Sequence, residues 1–221
     1  MSDLVLTFDP EKHLYFYGPT GTDSDEQLPS VSKIKEDLSD FSMVDRETLA
    51  RAGRFGTAVH KMCEYYLAET LDYGSLDESL LGCLLAFERW ISEVRPFTRI
   101  TAGALIDIKS RGFDRVADPV QLAAYYELWK ENRVGLGTAP IIERPLASIR
   151  YRYAGTPDII IPPTNGAEDF TDHRVLYLGR DGQYKYSQAY DRQAWPVFGH
   201  LLGEYRRSLT TKQIIQSWRN R

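Results

Sequence analysis

Three short stretches of the chain hold side chains that could do chemistry together. The first is Ala104-Leu-Ile-Asp-Ile-Lys109. Side chains alternate faces along a strand, so Asp107 and Lys109 share one side while Ile106 and Ile108 turn to the core. A carboxylate suits a hard cation, and an ammonium beside it can steer a water or neutralise charge developing on a phosphate. Taken alone, the pair reads more readily as an exposed-face salt bridge. The second stretch is Ala154-Gly-Thr-Pro-Asp158 followed by Ile159-Ile-Ile161. Here an acid enters an apolar strand through a constrained Gly-Thr-Pro lead, where it must be paired, used or spent as a turn cap. In the third, Gly56-Thr-Ala-Val-His60 continuing to Glu64, His60 and Glu64 stand one helical turn apart, a spacing that suits metal ligation. Gln121 and Tyr125 repeat that spacing, which by itself describes an ordinary polar stripe.

The elements that must carry these residues follow from periodicity and turn chemistry. Residues 4–17 read as a β-hairpin around Asp-Pro-Glu-Lys, and 18–29 as a polar loop. Ser30 or Ser32 caps a short helix from Lys33 toward Phe41. The apolar spacing from Val44 to Tyr66 is helical, with a break expected near Arg54 between Gly53 and Gly56. A second helix spans Leu76 to Glu93 and is ended by Pro96. Ala104–Lys109 is a buried strand, and Asp118 to Asn132 an amphipathic helix stopped by Gly135 and Gly137. Ile141 to Tyr153 and Gly155 to Ile161 read as strands closed by Pro162-Pro163, and Leu176 to Leu178 as another. A last helix covers Tyr190 to Tyr205, started or kinked at Pro196, and the tail to Arg221 is basic.

Length and composition bound the answer. At 221 residues, 43% hydrophobic and 26% charged, the chain suits one α/β domain: a lead-in over 1–43, a core over 44–205 and a tail over 206–221. No run reaches the length of a membrane span, and Met1-Ser2-Asp3 lacks a signal-peptide pattern, so a cytoplasmic protein without a membrane partner is expected. Cys63 and Cys83 are too few for a four-cysteine zinc site, an iron–sulfur cluster or a disulfide framework. The net charge of −4 advertises no polyanion partner, so any nucleic-acid contact must be local. No glycine-rich phosphate loop, nucleophile elbow or zinc motif is present.

Together these residues resemble the PD-(D/E)xK nuclease superfamily, in its RecB-like branch with many phage exonucleases. The resemblance is carried by Phe8, His13-x-Tyr15 and Pro29-Ser-Val-Ser, by Gly56-x-x-x-His60, by Asp107-Ile-Lys109, by Gln121-Leu-Ala-Ala-Tyr125, and by Ala154-Gly-Thr-Pro-Asp158. It implies a mixed central β-sheet flanked by helices, with a restriction-endonuclease-like core behind an N-terminal hairpin. It also implies a Mg2+-dependent deoxyribonuclease, with Mn2+ as substitute and DNA as partner, active in a bacterial or phage-infected cell in recombination, repair or replication. Asp107, Asp158, His60 and the carbonyl of Ile108 would then hold the metal, Lys109 would be the catalytic lysine, and Glu143 an auxiliary acid, with Glu64 a weaker candidate. Gln121 and Tyr125 would contact substrate or brace the site. Arg51, Arg54, Lys61, Arg111 and Arg115 would form a basic rim, and exposed Tyr151 and Tyr153 would stack bases.

One departure from the family's pattern bears on connectivity. The family presents the Gly-x-x-Asp strand first and the Asp-x-Lys strand shortly afterwards, whereas here the block of about 104–134 precedes the block of about 141–163. The hairpin that usually joins the two acidic strands cannot exist, so a permuted strand order is expected, and the acids meet only if the strands are neighbours. An exonuclease is the leading expectation. The alternatives are a structure-selective or restriction-like endonuclease and a catalytically silent nucleic-acid-binding module.

Overall fold

Alternating aromatic and apolar residues on either side of Asp9–His13 fold into β1 (Val5–Asp9) and β2 (Leu14–Gly18), antiparallel, with Phe8 opposite Tyr15. Asp9 Oδ1 accepts from the amides of Glu11 and Lys12, and His13 closes the turn at φ 53°. The computed structural model describes residues 4–22, 24–38, 41–99, 103–112, 114–132, 139–163 and 172–219. A third strand, β3 (Glu26–Leu28), adds to β2 inside the segment read as a polar loop. It was hidden because only Leu28 of its three residues is buried.

Ser30 accepts from the Lys33 amide and caps α1 (Val31–Ile34), which starts two residues earlier than expected and gives way to a 3-10 turn at Glu36–Leu38. Then α2 (Arg46–Leu67), capped by Asp45, runs unbroken through Gly53 and Gly56. Each glycine costs a helix about 1 kcal/mol but keeps its N–H, and burial of Val59, Met62 and Cys63 outweighs that cost. Asp77 caps a 3-10 turn that leads into α3 (Leu81–Val94). Arg95, at φ 49°, terminates it, and Pro96 opens the short α4 (Pro96–Arg99).

The expected strand follows with the expected bounds as β4 (Ala104–Lys109), then α5 (Ala117–Asn132). This helix is not amphipathic: Ala117, Pro119, Val120, Leu122, Ala124, Leu128 and Trp129 are all buried, because α5 lies between β4 and the last helix. Gly135 and Gly137 fall outside the described residues. The expected strand over 141–153 is divided into β5 (Ile141–Ile142) and β6 (Leu146–Ser148), since Glu143 adopts φ 46° and Pro145 lacks a ladder donor. β7 (Tyr153–Gly155) and β8 (Ile159–Ile161) are likewise separated by Thr156-Pro157-Asp158. β9 (Asp172–Leu178) is longer than expected, and β10 (Tyr184–Gln188) falls where no element was expected. The final helix, α6 (Ala194–Arg219), extends through most of the segment read as a basic tail, with Pro196 in its first turn.

The molecule is mixed α/β, with a five-stranded mixed sheet in the order β10-β9-β4-β8-β5 flanked by helices. β4 is parallel to β9 and antiparallel to β8. One core joins Leu105, Ile160, Val175 and Tyr177 to α1, α5 and α6; the other joins Ala104, Ile106, Ile108, Ile159 and Leu176 to α2 and α3. With both faces covered, β4 is apolar throughout except for Asp107 and Lys109. No helix among the described residues is long and apolar enough to cross a membrane.

Candidate metal centre and its cleft

The permuted strands lie side by side. Ala104, Leu105 and Ile106 of β4 face Ile161, Ile160 and Ile159 of β8, so the next residues along, Asp107 and Asp158, reach the same end of the sheet. Asp158 Oδ2 accepts from the Ile108 N–H, which anchors the acid across the strand gap. β5 pairs with the other edge of β8, and the Glu143 amide donates to the Asp158 carbonyl at 3.0 Å. The left-handed backbone at Glu143 turns its side chain out of the strand path toward α2. From that helix His60 places Nδ1 3.2 Å from Asp158 Oδ1 and 3.3 Å from Glu143 Oε1. One ligand atom each from His60, Glu143 and Asp158 fall within 4.8 Å of one another.

Asp107 stands beside this trio and is fully buried. As expected, it shares its face of β4 with Lys109, but that face is covered by α5 and is no surface. Its Oδ1 accepts from Gln121 Nε2 at 2.9 Å. Its Oδ2 is buried without an aligned hydrogen bond and lies 2.8 Å from Lys109 Nζ, an ion pair. Gln121 is the hub: Nε2 also donates to the Tyr125 hydroxyl at 3.0 Å, and Oε1 accepts from Lys109 Nζ at 3.1 Å. It accepts from Lys35 Nζ as well. Gln121 and Tyr125 therefore brace Asp107 and Lys109 from α5, where they are buried.

The charges reveal a surplus of acid. Burial lifts Glu143 to about 7, helped by the Asp158 charge and opposed by His60. Burial works to lower His60, but Asp158 and Glu143 outweigh it and raise the imidazole to about 10. Burial pushes Asp158 upward, yet His60, Lys109 and the Ile108 amide hold it below the usual range. Asp107 is raised, by burial first and against the pull of Lys109. Lys109 stays above its ordinary value because Asp107 and Asp158 overcome its own desolvation. A cluster that binds protons this readily also favours a divalent cation.

No protein-family model matches the chain, and no curated protein matches its sequence. Function therefore has to be read from the site. Its donor set, two carboxylates and an imidazole, could hold a divalent cation, and the raised pKa values of Glu143 and His60 suit a place where positive charge is wanted.

The trio opens into a cleft of about 790 Å³, whose walls include Phe8 and His13 from the hairpin, Lys35, Thr57, Lys61, Glu64, Arg111 and Thr156. Tyr15 holds the Thr156 hydroxyl at 2.8 Å, tying the hairpin to the loop that presents Asp158. Other expected residues lie elsewhere. Arg51 lines a separate depression with Arg180, and neither Arg51 nor Arg54 lines the cleft. Arg115 is exposed at the lead into α5. Tyr153 cannot stack bases: it is fully buried and donates to the Ala124 carbonyl, while Tyr151 packs on Trp195 of α6. Lys61 pairs with Glu64 at 2.6 Å, both on the cleft wall. Lys35 was missed by sequence reading, having no motif of its own. The Pro29-Ser-Val-Ser stretch just before it was visible, and it docks there, with the Ala154 amide donating to the Pro29 carbonyl.

Proposed function

We propose that this chain is a metal-dependent DNA nuclease that hydrolyses phosphodiester bonds, in the exonuclease form that the sequence resemblance implies. The observation that supports it is the adjacency of β4 and β8, which brings Lys109, Asp158, Glu143 and His60 to one cleft, with Asp107 buried in contact with Lys109, although the chain order is permuted. Strand order in space, and not along the chain, is what a restriction-endonuclease-like core requires of its acids.

Asp158, Glu143 and His60 would hold Mg2+ or Mn2+, with Asp107 and the Ile108 carbonyl on the same side. Bound there, the ion would supply Lewis-acid polarisation of the phosphate and acidify a water. Lys109, kept cationic by Asp107 and Asp158, orients that water and offsets charge gathering on the phosphate oxygens. Gln121 fixes Lys109 and Asp107 relative to each other, so the ammonium is set before substrate arrives. Burial of this network keeps its electrostatics strong.

The test is digestion of end-labelled linear DNA beside covalently closed circular DNA, in Mg2+ and in EDTA. Mg2+-dependent shortening of the linear DNA alone is expected. Nicking of the circle would convert the reading to an endonuclease, and no cleavage of either in Mg2+ or Mn2+ would end it.

A further inference from the structure

Lys35, at the end of α1, is a cation of the cleft whose position the catalytic scheme leaves unexplained. Its side chain is drawn inward, and its hydrogen bond there goes to the uncharged Gln121 Oε1, the oxygen that also accepts from Lys109. It forms no ion pair with a carboxylate among the described residues. Burial lowers it to about 8, Lys109 and Arg111 add to that effect, and Asp107 and Asp118 oppose it without either carboxylate forming an ion pair with it. A half-buried ammonium with no carboxylate in direct contact is costly to the free protein. Chains tolerate such a cost where a ligand supplies the missing anion.

Arg111 lines the same wall. Its Nη2 is held 2.7 Å from Asp118 Oδ1, and Asp118 is itself fully buried, accepting from the Asp114 amide at 2.9 Å and from the Tyr177 hydroxyl at 3.1 Å. That bracing aims the guanidinium and leaves the side chain 45% exposed. The cleft thus carries the cations Lys35 and Arg111 in addition to Glu143, Asp158 and His60, and Lys35 meets Lys109 at their shared acceptor, Gln121.

We infer that Lys35 and Arg111 form a phosphate-binding subsite, taking the DNA backbone phosphate next to the one hydrolysed. This rests on the nuclease reading for the identity of the strand. The neighbouring phosphate is favoured over the attacked one because the latter must lie against the metal trio and Lys109. An ammonium and a guanidinium can each take a non-bridging oxygen, the phosphate replacing Gln121 as the acceptor of Lys35.

The experiment measures binding of a fluorescein-labelled oligonucleotide in Ca2+, which fills oxygen-rich sites, with Lys35→Met, Lys35→Arg and wild type, and thermal melting of all three. A set of oligonucleotides carries one uncharged methylphosphonate at each linkage in turn. Lys35→Met is expected to weaken binding about tenfold or more, the worth of a charge-assisted hydrogen bond, and to lower the salt dependence by about one counter-ion. Lys35→Arg retains most of the affinity. One neutral linkage weakens wild type but costs Lys35→Met nothing further, and Lys35→Met melts no lower than wild type because it removes an unpaired buried charge. Unchanged affinity in Lys35→Met, undiminished sensitivity to every neutral linkage, or lowered melting in both variants would overturn the subsite. The reading beneath it fails separately. A wild type that cuts nothing in Mg2+, yet loses phosphate-sensitive binding on Lys35→Met, keeps the subsite and abandons the nuclease; a wild type that neither cuts nor binds loses both.

Discussion

Lys109 and Asp107 occupy the least forgiving position in the molecule, a buried ion pair with one carboxylate oxygen left to the ammonium alone. Replacing Lys109 with Met should cut the cleavage rate about 10³-fold, the scale of removing a preorganised charge from a transition state. The fold should survive, since Asp107 already has a raised pKa and can take up a proton; circular dichroism and a gel assay read the two effects apart. A second outcome concerns pH. Glu143 and His60 both titrate higher in the folded chain than in the unfolded one, at about 7 and about 10. Raised values of this kind stabilise the fold fully below the unfolded values and lose that contribution as pH climbs through the folded ones. The metal-free protein should therefore lose stability from this pair between about pH 4.5 and pH 10. A cation takes the place of the protons, so the rise in melting temperature on adding Mg2+ should be larger at pH 8 than at pH 6. An equal rise at both would mean that the ion does not compete with protons at this cluster. Asp107, Lys109 and Asp158 were named from sequence by their motifs, His60 by the company of those motifs, and Glu143 only through the resemblance. Lys35 was not, since its contact with Gln121 joins segments 86 residues apart, and the bracing of Arg111 by Asp118, although local, follows no motif.

At the level of elements, β4 was read with its true bounds because a short β-branched run flanked by breaks has few other solutions. The hairpin and the capping serine of α1 were equally plain. β3 and β10 escaped because their residues are mostly polar and their pairing partners are what makes them strands. The continuity of α2 across two glycines and the division at Glu143 were invisible for a related reason: tertiary contacts settled both against local propensity. Gly155 shows how closely the elements meet. A Cβ there would lie 2.7 Å from Tyr125 Cε1 and 2.9 Å from Val31 Cγ2, two buried side chains of α5 and α1. Gly155→Ala should cost about 1–3 kcal/mol in denaturant unfolding. Because the displaced strand end leads to Asp158, activity should fall further than the lost stability accounts for. A variant of unaltered melting and activity would show that the packing yields easily.

Over the whole molecule, net charge is negative, while the cleft is lined both by His60, Glu143 and Asp158 and by the cations Lys35, Lys109 and Arg111. On the proposed reading, one phosphate of a DNA strand would meet the trio and the next would meet Lys35 and Arg111. DNA affinity should therefore fall steeply with added salt despite the overall charge, and a flat salt response in an anisotropy titration would contradict phosphate contacts. The sheet makes the arrangement possible, since the order β9-β4-β8-β5 places side by side strands that the chain visits far apart. The most direct test of the account is calorimetric titration of Mn2+ into wild type, Asp158→Asn, Glu143→Gln and the remote control Asp181→Asn. Binding that persists in wild type and the control but disappears in the first two variants, with DNA cleavage lost in step, is the predicted result. Equal Mn2+ binding in Asp158→Asn and wild type would contradict it.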